Sequence, residues 1–287
     1  MSIFSGIWVP VITPFADGAV DHAALRRLVR LYADAGVTGL VALGTTGEPA
    51  ALDAAEQDAV LATVLAEAEA GALPVLAGVS GNNVTSLRAR LGQLNELPVA
   101  GVLISAPYYI RPSQAGLLEY FTTLADLSRK PVVLYDIPYR TGVRLELDTL
   151  LTLASHPRIQ AVKDCAGSLE TTLALILDGR LQVLAGDDIN VFNTLCMGGS
   201  GAIAASAHVH PERFVALYRA LREGRLDEGR RIFHGLVPLI QALCSEPNPG
   251  PVKAVLAAQG LIRNELRAPM SRASDALSVH LQQWAAS

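Results

Sequence analysis

The chain has 287 residues, of which 51% are apolar and 17% charged; this supplies a large core and excludes an intrinsically disordered chain. Its formal net charge of −4 comes with no basic stripe and no aromatic–basic patchwork, which argues against a nucleic-acid partner. No apolar run is long enough to span a bilayer.

Three cysteines, Cys165, Cys196 and Cys244, are too few and too scattered for a disulfide framework or a spaced zinc site. Reduced thiols in a cytoplasmic protein are the expectation. The segment from Met1 to Pro10 has no basic region followed by an apolar stretch, so no signal peptide is indicated.

In chain order, Ile7-Trp-Val-Pro-Val-Ile-Thr13 reads as a first buried strand, closed by Pro14 and the turn Asp17-Gly18. Asp21 caps a helix whose apolar positions Leu25, Leu28, Val29 and Tyr32 fall at helical spacing. Gly36 ends it, and residues 37–43 form strand two. Asp53-Ala-Ala-Glu56 is a capping-box pattern opening a helix that runs to about residue 70. Strand three covers 74–79, with a helix from about residue 84. Strand four covers 99–105, with a helix from Ser113 to near Leu127. Strand five covers 131–136, with a helix over 147–154. Strand six covers 159–163, and Ser168 opens its helix. Strand seven covers 181–185, with a helix over 188–196. Strand eight covers 201–205, with a helix over 211–222.

Eight strand–helix units within about 220 residues, joined by short loops, predict an α/β chain folded as a (β/α)8 TIM barrel. An open doubly wound sheet would want a dinucleotide turn, and Gly44-Thr-Thr-Gly47 lacks its glycine spacing. After about residue 226 the pattern is purely helical, over 226–244, 251–259 and 271–284. The proline-rich break Glu246-Pro-Asn-Pro-Gly-Pro251 separates the first two. The expected organisation is a barrel over 1–225 and a C-terminal helical region over 226–287, docked on the barrel or supporting oligomer contacts.

Chemistry in such barrels sits at the C-terminal ends of the strands. Strand two ends in Gly44-Thr-Thr-Gly-Glu48, strand four in Ala106-Pro-Tyr-Tyr109, and strand five in Tyr135-Asp-Ile-Pro-Tyr-Arg140-Thr-Gly142. Strand six ends in Lys163 and strand seven in Gly186-Asp-Asp188, and strand eight includes Ile203. Each has a plain structural reading. Gly44-Thr-Thr-Gly47 alone is better read as a tight turn than as an anion site of hydroxyls and backbone N–H groups. Tyr108, Tyr109 and Tyr135 can be rim packing, or phenols that relay protons beside threonine hydroxyls. Arg140 can be a surface ion pair or a bidentate carboxylate clamp. His208 and His210 share a strand-like spacing, but no third ligand is patterned with them, and metal is not expected.

Lys163 is the residue that tips this balance. The sequence holds only three lysines, Lys130, Lys163 and Lys253, among many arginines. Arginine stays protonated, whereas a desolvated lysine can lose its proton and attack a carbonyl. Along strand six, Ile159, Ala161 and Lys163 share one face. A lysine facing a barrel mouth among tyrosines and threonines has reason to lower its pKa, the condition for an imine with a keto acid. Lys130 lies at the opposite end of a strand and Lys253 in the helical region, so Lys163 is the candidate by elimination.

These strand-end motifs, with Glu246-Pro-Asn-Pro-Gly-Pro-Val-Lys253, resemble the dihydrodipicolinate synthase / N-acetylneuraminate lyase family along essentially the whole chain. Arg140 and the Glu-Pro-Asn-Pro run resemble the synthase branch; the sialate and keto-sugar branches typically lack that arginine. The resemblance implies that Lys163 forms a Schiff base with pyruvate. It implies a proton relay of Tyr135, Thr45 and Tyr109, with Tyr109 reaching into a neighbouring subunit's site. Thr46 and backbone N–H groups of its turn would hold the pyruvate carboxylate, and Arg140 the carboxylate of L-aspartate 4-semialdehyde. Gly186 and Ile203 would line the site with backbone carbonyls. The product would be 4-hydroxy-tetrahydrodipicolinate, on the lysine and diaminopimelate route, with no cofactor because the imine is the electron sink. A homo-oligomer, tetramer or dimer, is implied, with no membrane or nucleic-acid partner.

Two departures carry expectations. The segment Pro49-Ala-Ala-Leu-Asp-Ala-Ala-Glu-Gln57 lacks the polar residues, and Leu87 replaces the glutamate, found in lysine-inhibited relatives. Feedback inhibition by lysine is therefore expected to be weak or absent. Tyr139 stands where a small residue is usual, beside Arg140, which leaves open another pyruvate-dependent class I aldolase or hydratase-aldolase acting on a different aldehyde. A non-catalytic keto-acid-binding barrel is the remaining reading, and retention of the lysine with both threonines and both tyrosines weighs against it.

Overall fold

The computed structural model describes residues 3–285. Eight mostly apolar runs form the strands: β1 (Gly6–Pro10), β2 (Gly39–Ala42), β3 (Val75–Val79), β4 (Gly101–Ser105), β5 (Val132–Asp136), β6 (Ile159–Asp164), β7 (Gln182–Ala185) and β8 (Gly201–Ile203). They are buried along almost their whole length, as parallel strands covered on both faces must be. They close a parallel barrel in the neighbour order β1-β8-β7-β6-β5-β4-β3-β2. The predicted (β/α)8 fold is therefore the one observed.

Helices alternate with the strands: α1 (His22–Asp34), α2 (Ala54–Ala70), α3 (Val84–Asn95), α4 (Gln114–Leu127), a single turn α5 (Pro138–Thr141), α6 (Leu147–Leu153), α7 (Leu169–Asp178), α8 (Val191–Cys196) and α9 (Pro211–Arg222). Short polar side chains start most of them. Asp21 accepts from Ala24 N–H at 2.9 Å, and the Asp53–Glu56 capping box is complete in both directions. Asn83, Ser113 and Ser168 cap α3, α4 and α7 in the same way. Three helices follow: α10 (Leu226–Cys244), α11 (Gly250–Ala258) and α12 (Asp275–Leu281).

The differences from the expected elements are local. Strands one, two, four and eight are shorter than their apolar runs, because apolar residues continue into the turns. The helix expected from residue 271 begins at Asp275. Its N-cap is Ser274, whose hydroxyl accepts from Leu277 N–H while Glu246 accepts the Ser274 N–H at 2.8 Å. The Asp17-Gly18 turn carries a small hairpin, Phe15–Ala16 against Ala19–Val20. The segment after strand five is not a loop. Pro138 begins the helical turn α5, and the left-handed Gly142 at φ 81° stops it.

The chain comprises two compact units. The first, Leu76–Ile203 with the N-terminal residues through Gly6, carries a run of parallel neighbours from β3 to β8. In it Tyr135 is in register with Lys163, and Asp136 with Asp164. Strand alternation thus puts Tyr135 and Lys163 on one face and the two aspartates on the other. The second, Ile7–Val75 with everything from Ala204 onward, pairs β1 with β2 and contains α10 to α12. His208 braces this unit internally. Its Nε2 accepts from Ile12 N–H at 3.1 Å and its Nδ1 donates to Ala205 O at 2.7 Å, so both ring nitrogens are occupied.

Candidate active site

In the first unit the chemistry gathers around Lys163, the fifth residue of β6 and 6% exposed. Its Nζ lies 4.4 Å from the centroid of the Tyr135 ring, the registered neighbour on β5. Burial holds the ammonium below the ordinary lysine pKa, because desolvation outweighs the nearby Cys165, Asp188 and Asp187 that favour the charge; Arg140 adds to the lowering. Lys163 therefore carries more free amine near neutral pH than an exposed lysine does.

Gly186 makes room for this side chain. A Cβ there would stand 2.9 Å from Lys163 Cγ, 3.0 Å from its Cε and 2.3 Å from Cys165 Sγ, so the backbone after β7 can approach only as glycine. Ile203, at the end of β8, is fully buried.

Arg140 lies on α5, exposed, with its guanidinium 5.8 Å from the Tyr139 ring centroid. No carboxylate pairs with it among the described residues. Tyr139 donates its hydroxyl to Asp187 Oδ1 at 3.4 Å, and Asp187 also takes the Cys165 thiol. Burial pushes both Cys165 and Asp187 up from their ordinary values.

Tyr109 does not join this group. It is 89% exposed at φ 73° in the loop after β4, with its N–H bonded to Thr141 O at 3.0 Å. Tyr108 beside it is held by a reciprocal pair of bonds with Asn82.

In the second unit, Thr45–Gly47 forms a single 3-10 turn three residues beyond β2. Thr45 is exposed and Thr46 is buried. Two residues that the sequence left without a role attach here. Asn248 Nδ2 donates to Thr46 Oγ1 at 2.9 Å, and Lys253 forms a buried ion pair with Glu48, the residue that ends the turn. Lys253 also donates to Glu265 O at 3.0 Å and stands 4.2 Å from the Phe15 ring centroid. Lys253 lies in the C-terminal helical region as expected, on α11, and from there it anchors the threonine turn through Glu48. Cys165 was legible in principle, since it continues the alternating face of Ala161 and Lys163.

With this geometry in view, the relatives are informative. The Dihydrodipicolinate synthetase family matches residues 3–285. The 4-hydroxy-tetrahydrodipicolinate synthase of Pelobacter propionicus is 38% identical over 276 residues, which is 96% of this chain and 95% of that protein. Dihydrodipicolinate synthase from Aquifex aeolicus superposes with a TM-score of 0.94 at 32% identity, covering 98% of this chain and 96% of that one. The chloride-inhibited dihydrodipicolinate synthase of Acinetobacter baumannii, solved with pyruvate, gives 0.94 at 30% identity, over 98% of this chain and 97% of that one. The chain belongs to the Dihydrodipicolinate synthetase family. At that level it is an enzyme, a pyruvate-dependent class I aldolase on a TIM barrel. No helix among the described residues is long and apolar enough to cross a membrane.

Proposed function

We propose that this enzyme condenses pyruvate with L-aspartate 4-semialdehyde to give 4-hydroxy-tetrahydrodipicolinate, a step toward diaminopimelate and lysine. The observation that carries the reading is the buried Lys163 amine with its lowered pKa, set against the Tyr135 ring. The free amine attacks the pyruvate keto carbon, and loss of water leaves an imine. Its positive nitrogen acidifies the methyl group, which gives up a proton to become an enamine carbon nucleophile. That carbon adds to the aldehyde. The acceptor's own amine then displaces Lys163 and closes the ring.

In this reading Tyr135, Thr45 and Tyr109 pass the protons, Tyr109 acting from a neighbouring copy. Thr46 and its turn take the pyruvate carboxylate, and Gly186 and Ile203 offer carbonyls to the substrate. Arg140 takes the acceptor's carboxylate. Support for that last role comes from its having no carboxylate partner of its own among the described residues.

One observation favours a second acceptor. Tyr139, bonded to Asp187 beside Arg140, occupies space and adds a phenol where the acceptor would lie, so a different aldehyde on the same imine is the alternative. The experiment has two arms. Borohydride reduction in the presence of pyruvate is expected to leave a pyruvyl adduct on Lys163 alone, mapped by mass spectrometry. Turnover of aspartate semialdehyde is expected to exceed that of aldehydes lacking a carboxylate, and Arg140→Ala to abolish the preference. An enzyme without the adduct is not an imine-forming lyase, and one that prefers an uncharged aldehyde is not this synthase.

A further inference from the structure

Asn248 reaches the threonine turn from 202 residues away in sequence. It lies in the proline-rich break between α10 and α11, and no proton transfer or substrate contact of the proposed reaction uses it. The bond it makes has a direction. Nδ2 donates to Thr46 Oγ1 at 2.9 Å, so the threonine oxygen is the acceptor. A hydroxyl that accepts through a lone pair keeps its own hydrogen to donate. No protein acceptor takes that hydrogen among the described residues. Thr46 is 4% exposed, so little bulk water reaches it. The second atom of the same amide, Asn248 Oδ1, is buried with no hydrogen-bond partner among the described residues. Among those residues the contact to Thr46 is thus the side chain's one hydrogen bond.

The segment carrying Asn248 is fixed to the turn at a second point. Glu48 follows the turn in a left-handed conformation at φ 54° and pairs with Lys253. Both side chains are almost wholly buried, and Lys253 sits near the start of α11. The C-terminal region therefore grips the turn on both sides of Gly47, through Thr46 and through Glu48.

We propose that Asn248 is a positioning residue: its amide N–H engages the Thr46 oxygen and leaves the Thr46 hydroxyl hydrogen aimed at the substrate carboxylate. The proposal rests on the reading above that Thr46 receives the pyruvate carboxylate. A carboxylate is acceptor-only, so it needs a threonine that donates. A threonine whose hydrogen is already committed to a protein acceptor would repel it. The C-terminal helices, on this view, set the hydrogen-bond polarity of the site as well as packing on their own unit.

The test uses the full-length enzyme as N248A, N248D, T46V and N248A/T46V, with steady-state pyruvate kinetics and borohydride trapping. N248A is expected to raise KM for pyruvate about five- to tenfold while kcat stays within about twofold, the size of one hydrogen bond. N248D puts a carboxylate where the donor was; Thr46 then donates to it, and a negative charge faces the substrate. A rise on the order of a hundredfold is expected there, in keeping with a hydrogen bond to a charged group. In the T46V background, N248A is expected to have no further effect.

An equal effect of N248A in both backgrounds would mark Asn248 as merely structural and overturn the proposal. So would an unchanged KM in N248A while wild type still traps pyruvate. If wild type traps no pyruvate, the underlying reading falls and the proposal with it. If N248D fails to fold, the comparison of N248A with N248A/T46V decides.

Discussion

On the two paired strands β5 and β6, one physical effect moves neighbouring residues in opposite directions. Desolvation disfavours whichever form is charged. It lowers Lys163, and on the other face it raises Asp136 to about 7, reinforced by Asp164 alongside and opposed by the Leu145 N–H that Asp136 accepts at 3.2 Å. Asp136 is 2% exposed, so the effect is that of a group held away from water. The sign for stability follows from where each state holds the proton. Between an ordinary 3.8 and about 7 the unfolded chain has released it while the folded chain keeps it. Stability therefore falls as pH rises through that window, and above it the protein is less stable by the full amount, on the order of a few kcal/mol. Asparagine keeps the acceptor for Leu145 N–H and cannot ionise. Urea melts of Asp136→Asn at a series of pH values are expected to lack this group's part of the slope between pH 4 and 7. Wild-type and variant curves that run parallel would show that Asp136 does not titrate as described.

Among the elements, the threonine turn and the start of α11 depend on one buried pair. Lys253 is wholly buried and Glu48 nearly so, and the two meet directly. Removing one partner leaves the other charged and unsatisfied, at a cost of about 3–5 kcal/mol. Lys253→Met is expected to lose stability of that size by denaturant titration, whereas Glu48→Leu with Lys253→Met is expected to recover much of it. A double variant as unstable as the single one would mean that packing, not the charge, sets the cost. This pair also marks the limit of what could be read from the sequence. Strand–helix alternation is local, so all eight units and most caps were legible from Asp21, Asp53 and Ser113. Lys163 was legible because lysine is scarce and its strand position periodic. Glu48 with Lys253, and Asn248 with Thr46, are contacts across about two hundred residues. No periodicity encodes them, and the Glu-Pro-Asn-Pro run gave a likeness without a reason. The helical turn α5 was hidden for a different cause: only Pro138 and Gly142 signal it, and both also suit a loop.

For the whole molecule, the chemistry of two surfaces bears on regulation and assembly. Leu87 on α3 is 5% exposed and would lie against any Cβ placed on Gly81, so this position offers an ammonium group no counter-charge. Lysine is expected to leave turnover unchanged at submillimolar concentration, and a micromolar inhibition constant would refute that. Assembly follows from apolar surface that the first unit leaves uncovered. One patch is Tyr108, Tyr109 and Ile110, at 48%, 89% and 58% exposure. The other is the stripe Leu169, Leu173 and Leu177 along α7, at 54%, 40% and 77%. Exposed apolar surface of this kind marks contact sites, and a chain that used both patches as isologous contacts would close as a tetramer, the assembly expected of this one. The patches have different consequences. If Tyr109 works in a neighbour's site, the contact it sits in is needed for turnover, while the α7 contact is needed only for size. Leu173→Glu is therefore expected to sediment as a dimer with near-wild-type turnover. Ile110→Asp is expected to break the tyrosine-bearing contact and lower kcat about a hundredfold or more, the scale of one lost proton-transfer group. Full turnover from a monomer would show that Tyr109 serves no neighbouring site.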